Sequence, residues 1–110
     1  MKNTIKIILL CGFLVNATAV SAADIEAGKQ KAQGCAACHG ADGNGAATIY
    51  PRLAGQYADY LLVSLKRYKS GERQNPMMNA MAGPLSEQDM EDIAAYFSQL
   101  PGKLGLPARE

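Results

Sequence analysis

Cys35-Ala36-Ala37-Cys38-His39 sets two thiols three residues apart, with an imidazole directly after the second. Each thiol can add across one vinyl group of a porphyrin, and the histidine then stands under the iron as an axial ligand. The spacing therefore reads as an attachment site for covalently held haem.

Two other chemistries use such a pair. A dithiol redox couple is expected at a helix start within a βαβ pattern, and this sequence has no strand-like alternating runs. A closed zinc site needs four Cys or His ligands. Beyond the N-terminal apolar run that carries Cys11, the chain offers Cys35, Cys38 and His39, its sole histidine. Zinc would thus need a carboxylate or a partner protein to complete its shell.

An iron held by one histidine needs a sixth ligand or keeps an open position, which separates electron carriers from oxygen or peroxide chemistry. With one histidine, bis-histidine ligation within the chain is excluded, and the remaining soft donors are methionines. Met90 falls on the apolar face of an expected helix and reads as packing. Met77, Met78 and Met81 lie in a turn-rich stretch with little packing reason to hold three thioethers.

The elements that must position these groups follow from the rest of the 110 residues. Lys2 and Lys6, an apolar run from Ile7 to Val15 and a small-residue exit at Ser21-Ala22-Ala23 form the pattern of a cleaved secretory signal peptide over residues 1–22. The apolar run is well short of the roughly 20 residues that cross a bilayer. Cleavage after Ala22, or after Ala23, removes Cys11 and leaves 9 basic against 10 acidic residues, a balance that gives no sign of nucleic-acid binding. About 88 residues remain, 23–110, one domain's worth and near the size where a hydrophobic core alone is marginal. An apolar macrocycle would supply much of the missing core.

Asp24 is a plausible N-cap for a first helix of about ten residues, with Gly34 expected as its left-handed C-terminal stop. Gly28 inside it is tolerable where another helix crosses closely. Gly40 to Gly55 reads as a long loop wrapping one porphyrin edge, with Ile49, Tyr50 and Leu53 turned inward. Pro51 gives its carbonyl a fixed approach, suited to a histidine ring N–H. Gln56 to Ser70 is amphipathic, with Tyr57, Tyr60, Leu61, Leu65 and Tyr68 at helical spacing and Gly71 as its stop. Lys66, Arg67 and Lys69 near its end read as a solvated face. Glu72 to Leu85 shows no period. Ser86 and Asp89 form a capping-box start for a last helix whose stripe is Met90, Ile93, Ala94, Phe97 and Leu100, stopped by Pro101. Residues 103–110 read as a tail.

Together, C-A-A-C-H-G-A-D-G-N-G, P-R-L-A-G-Q-Y-A-D-Y-L, N-P-M-M-N-A-M-A-G-P-L-S and D-I-A-A-Y-F resemble class I cytochromes c of the small bacterial monohaem type, and one half of the two-domain dihaem cytochromes c. The resemblance implies an all-α fold of three main helices plus loops wrapped around one covalently bound haem c. It implies thioether bonds at Cys35 and Cys38, axial ligation by His39, a hydrogen bond from the His39 ring to the Pro51 carbonyl, and Met78 as the distal ligand, seven residues before the leucine of P-L-S. Met81 and then Met77 are the fallbacks. It further implies that the first and last helices cross, with Gly28 near Tyr96 and Phe97.

A His/Met-ligated iron suits outer-sphere electron transfer rather than catalysis. The expected role is a periplasmic electron carrier between a quinol-oxidising complex or dehydrogenase and a terminal oxidase or reductase. Two readings compete with it. One is a haem peroxidase or gas-binding domain with a displaceable methionine, and the other is a dedicated electron-inlet subunit of a larger enzyme.

Overall fold

The computed structural model describes residues 21–103, so nearly all of the expected signal peptide, Cys11 and residues 104–110 lie outside the described residues. Among the described residues there are five helices and no strand: α1 Ile25–Lys31, α2 Gln33–His39, α3 Ala58–Ser70, α4 Pro76–Ala82 and α5 Glu87–Gln99.

Asp24 caps α1, its Oδ1 accepting the Ala27 N–H at 3.0 Å. The first helix does not stop at Gly34. Ala32 stays near the helical region at φ −77°, ψ −2°, so the chain turns there and resumes as α2, which carries the whole cysteine–histidine motif. The glycine stop falls instead on Gly40, whose φ of 87° and ψ of 149° lie outside the left-handed helical region.

Gly28 is buried where α1 crosses α5. A Cβ at that position would sit 2.6 Å from the Asp92 carbonyl carbon and 3.0 Å from Tyr96 Cβ. Backbone blocks that side chain, and backbone cannot rotate away as a side-chain tip does. Gly28→Ala is therefore expected to force the two helices apart and cost about 2–3 kcal/mol in a denaturant titration, although alanine is the better helix former.

One polar group is buried in this crossing. Asp92, 2% exposed, accepts the Asp24 N–H at 2.8 Å, Lys31 Nζ at 2.7 Å and Gln88 Nε2 at 2.9 Å. Lys31 also pairs with Asp89 at 2.8 Å. The Asp24 N–H, then Lys31, hold the Asp92 carboxyl below its ordinary range, while Lys31 and the Ser86 N–H bring Asp89 down to about 2. Both carboxylates have folded pKa values below their unfolded ones. Their contribution is thus fully present above the ordinary carboxylate range and is lost as pH falls through the lowered folded values, about 2 for Asp89. Circular dichroism on acid titration is expected to record this loss, and Asp92→Asn should flatten it at reduced stability near neutrality.

The two thirteen-residue helices supply the rest of the frame. Ser86 and Asp89 close a full capping box on α5, as expected from the sequence. Gly71, at φ 79°, closes α3. Leu61 of α3 meets Ile93, Ala94 and Phe97 of α5 and Ala32 of the α1–α2 turn in one small core. Met90 is 3% exposed, packing as expected.

α4 corrects the reading of Glu72 to Leu85 as irregular. Asn75 caps it, Oδ1 accepting the Met78 N–H at 3.1 Å, and Pro76 sits in its first turn, where a missing N–H costs nothing. Among the helices it packs along α3. The expected solvated face of α3 is also engaged: Lys66 pairs with Glu87, Arg67 with Glu72 at 3.4 Å, and Lys69 donates to the Gly83 and Leu85 carbonyls, each at 2.7 Å. Lys103, at the start of the expected tail, donates its N–H to Asn44 Oδ1 at 3.1 Å.

Candidate haem site

A cavity of about 530 Å³ opens between α2, α3, α4, α5 and the 40–55 loop, within the range of small-molecule sites. Leu61 and Leu65 of α3 and Ile93, Ala94 and Phe97 of α5 form its apolar wall. Cys35, Cys38 and His39 face it from α2, and Met77, Met78 and Met81 from α4. The helical turn of α2 is what places both thiols and the imidazole on one cavity.

The loop completes the enclosure. Gly45 donates to the His39 carbonyl at 2.6 Å and Ala46 to that of Cys38 at 3.0 Å, while the Gly43 carbonyl accepts from Leu53 at 2.7 Å and Ala54 at 2.9 Å. Gly43 holds φ 72°, and a Cβ there would press on Phe97 and Ala54 at 3.0–3.1 Å. Ile49, Tyr50 and Leu53 all line the cavity as expected, but Ile49 does so from the rim at 78% exposure.

His39, 7% exposed, has Nδ1 2.7 Å from the Pro51 carbonyl oxygen. A carbonyl can only accept, so Nδ1 carries the proton and Nε2 keeps its lone pair for a metal. The sequence-derived pairing of these two residues is what the structure contains.

Cys35 and Cys38 are free, and burial pushes the Cys35 thiol up rather than toward the thiolate a redox couple requires. Among the described residues no three Cys, His, Asp or Glu side chains gather as a group that could hold a metal ion. An apolar cavity with two thiols and a neutral imidazole on one side fits a haem.

Met77, Met78 and Met81 of α4 all line the cavity. They differ in shielding. Met78 is half-buried, whereas Met77 and Met81 are 58% and 42% exposed. Met81 extends its methyl toward Gly34, where a Cβ would meet it at 3.4 Å.

Sequence reasoning did not single out the polar part of the lining. Arg52 and Arg73 face the cavity with Gln56 and Asn75, and among the described residues no carboxylate does. Arg73 lies over the Tyr68 ring at 4.8 Å. Arg52 directly follows Pro51 and could have been inferred from it, while Arg73 is brought in by the turn after α3 and has no local signal.

Comparison with known proteins agrees with this site. The family model for cytochrome c matches residues 25–101. Cytochrome c4 of Stutzerimonas stutzeri is 43% identical over 94% of this chain and 53% of its own length. Cytochrome c-554(548) of Halomonas halodenitrificans is 50% identical over 70% of this chain and 96% of its own. The crystal structure of reduced recombinant cytochrome c4 from Pseudomonas stutzeri superposes with a TM-score of 0.71 at 47% identity, covering 76% of this chain and 49% of that one. The chain thus spans about half the length of the cytochrome c4 relatives it matches, and nearly all of the shorter one is covered. Haem c, covalently bound, is the cofactor of these relatives, and the Cys35–Cys38 pair fits its attachment motif. By the extent of the family match and by the site itself, the chain belongs to the cytochrome c family.

Proposed function

We propose that this protein is a periplasmic one-electron carrier with a single haem c, attached through Cys35 and Cys38 and ligated by His39 and Met78. The observation that carries the reading is the His39–Pro51 hydrogen bond beside the two thiols, since it fixes the ring and leaves Nε2 as the nitrogen available to a metal on an apolar cavity that also holds thioethers. Haem bound there supplies a ferrous/ferric couple.

The chain's own residues do the rest. Pro51 holds the His39 tautomer and raises its basicity as a ligand. Met78 offers a neutral, soft sulfur, which favours the ferrous state. Leu61, Leu65, Ile93 and Phe97 keep water from the cavity wall. With His39 and Met78 as the residues that would hold the iron, the site would suit outer-sphere transfer rather than substrate chemistry, in keeping with the electron-transfer role of its cytochrome c4 relatives.

A quinol-oxidising complex or dehydrogenase would act as donor and a terminal oxidase or reductase as acceptor. The signal-peptide pattern supports export, and the mature mass is expected to correspond to a start at Ala23 or Asp24 plus one haem. An intact Met1 on haem-loaded protein would contradict processing. The central test is the visible spectrum of the exported protein in both oxidation states. A haem c α-band on reduction, with the weak far-red charge-transfer band of ferric Fe–S ligation on oxidation, is expected. An oxidised spectrum without that band, with rapid carbon monoxide binding on reduction, would move the gas-binding reading ahead.

A further inference from the structure

α4 carries the methionines but has little apolar anchorage of its own. Ala82 is its one fully buried residue, two of its three methionines are substantially exposed, and among the helices it packs along α3. Seven residues are too few to hold a helix without tertiary support. What holds it is a set of polar contacts from the end of α3 and the turn behind it.

Asn79, immediately after Met78, uses its whole side-chain amide. Nδ2 donates to the Tyr68 carbonyl at 2.7 Å and to the Arg73 carbonyl at 2.9 Å, and Oδ1 accepts the Asn75 N–H at 2.8 Å. It therefore ties α4 to the last turn of α3 and to its own cap. At the other end, Lys69 Nζ donates to the carbonyls of Gly83 and Leu85, both at 2.7 Å, which lie just past the helix. The middle of α4, through Asn79, and the segment just past its end are thus both pinned to the last turn of α3, with Met78 directly before the first tie.

We infer that Asn79 and Lys69 are positioning residues for the sixth iron ligand: they form a two-point polar latch that keeps Met78 directed at the iron against displacement by water or small ligands. This rests on Met78 being that ligand. Neither residue touches the metal, and their effect is on the fraction of molecules in which α4 is seated. A ligand that needs the open form gains apparent affinity in proportion to the unseated fraction, which rises as the latch is lost. Losing the donors to two carbonyls is a change sufficient for about a tenfold shift in the seating equilibrium.

The test uses haem-loaded protein with Asn79→Ala, Lys69→Met, Lys69→Arg and Met78→Ala. Both Asn79→Ala and Lys69→Met are expected to weaken the far-red ferric band and raise apparent carbon monoxide affinity of the ferrous form about tenfold or more, with far-UV circular dichroism close to native. Lys69→Arg, which keeps donors for both carbonyls, should restore native behaviour, a rescue that loss of a generic surface charge would not predict. Should Asn79→Ala fail to load haem, the Lys69 pair carries the test. Native band and carbon monoxide affinity in Lys69→Met, while Met78→Ala opens the iron, would overturn the latch alone. An unchanged band in Met78→Ala would overturn the ligand assignment and the latch with it.

Discussion

Met78→Ala is expected to abolish the far-red ferric band, lower the reduction potential and let carbon monoxide bind the reduced iron. A thioether is a weak ligand and prevails over water only where the protein fixes it and keeps solvent out. Met78 has that support: its own N–H is held by the Asn75 cap, and its side chain is half-buried on the cavity. The potential falls because a neutral sulfur that favours the ferrous state is removed. Met77→Ala and Met81→Ala should keep the band. With those side chains 58% and 42% exposed, their cost should be no more than about 1 kcal/mol. Loss of the band in Met81→Ala but not in Met78→Ala would transfer the ligand role to Met81 and leave the electron carrier intact.

The larger effect belongs to the cysteines. Cys35→Ala or Cys38→Ala should leave one thioether and a shifted reduced α-band, and the double variant should yield no coloured protein after acid-acetone extraction. Its consequence reaches the whole fold. The small core of Ala32, Leu61, Ile93, Ala94 and Phe97 lies against the haem cavity, which Leu61, Ile93, Ala94 and Phe97 also line. A chain of this size has little else to bury. Circular dichroism of the double variant should accordingly show most helix lost, and a native-like spectrum would mean that the protein frame stands without its macrocycle.

Much of this architecture is legible in the sequence where the signal is local. Ser86 with Asp89, Gly71 after Tyr68, and the Met90–Ile93–Ala94–Phe97 stripe each state an element by short-range chemistry, and each lies where expected. The departures are equally physical. Gly34 reads as a helix stop because glycine tolerates the left-handed region, yet nothing obliges it to go there, and the turn at Ala32 lets the helix resume through the motif. Asn75-Pro76 reads as a turn because proline breaks helices, but at a helix start the same pair is a cap. α4 is too short for a period to emerge. Asp92 was invisible for another reason: its partners Asp24 and Lys31 are more than sixty residues away, and only the α1–α5 crossing makes a buried carboxylate affordable.

The two sides of the cavity, α2 with the loop and α4 with its methionines, are built differently, and that difference bears on the speed of the proposed electron exchange. On the histidine side, α2 is tied to the loop by the His39 and Cys38 carbonyls and by the 2.7 Å bond to Pro51, and the loop is closed on itself at the Gly43 carbonyl, so few nuclei there could shift when the charge on a bound iron changed. On the methionine side, a seven-residue helix hangs on amides and a lysine. Reorganisation energy should therefore be concentrated in α4 and its flanking turns, and redox-linked differences in amide hydrogen exchange should be largest between Asn75 and Leu85, with the 43–55 loop nearly silent.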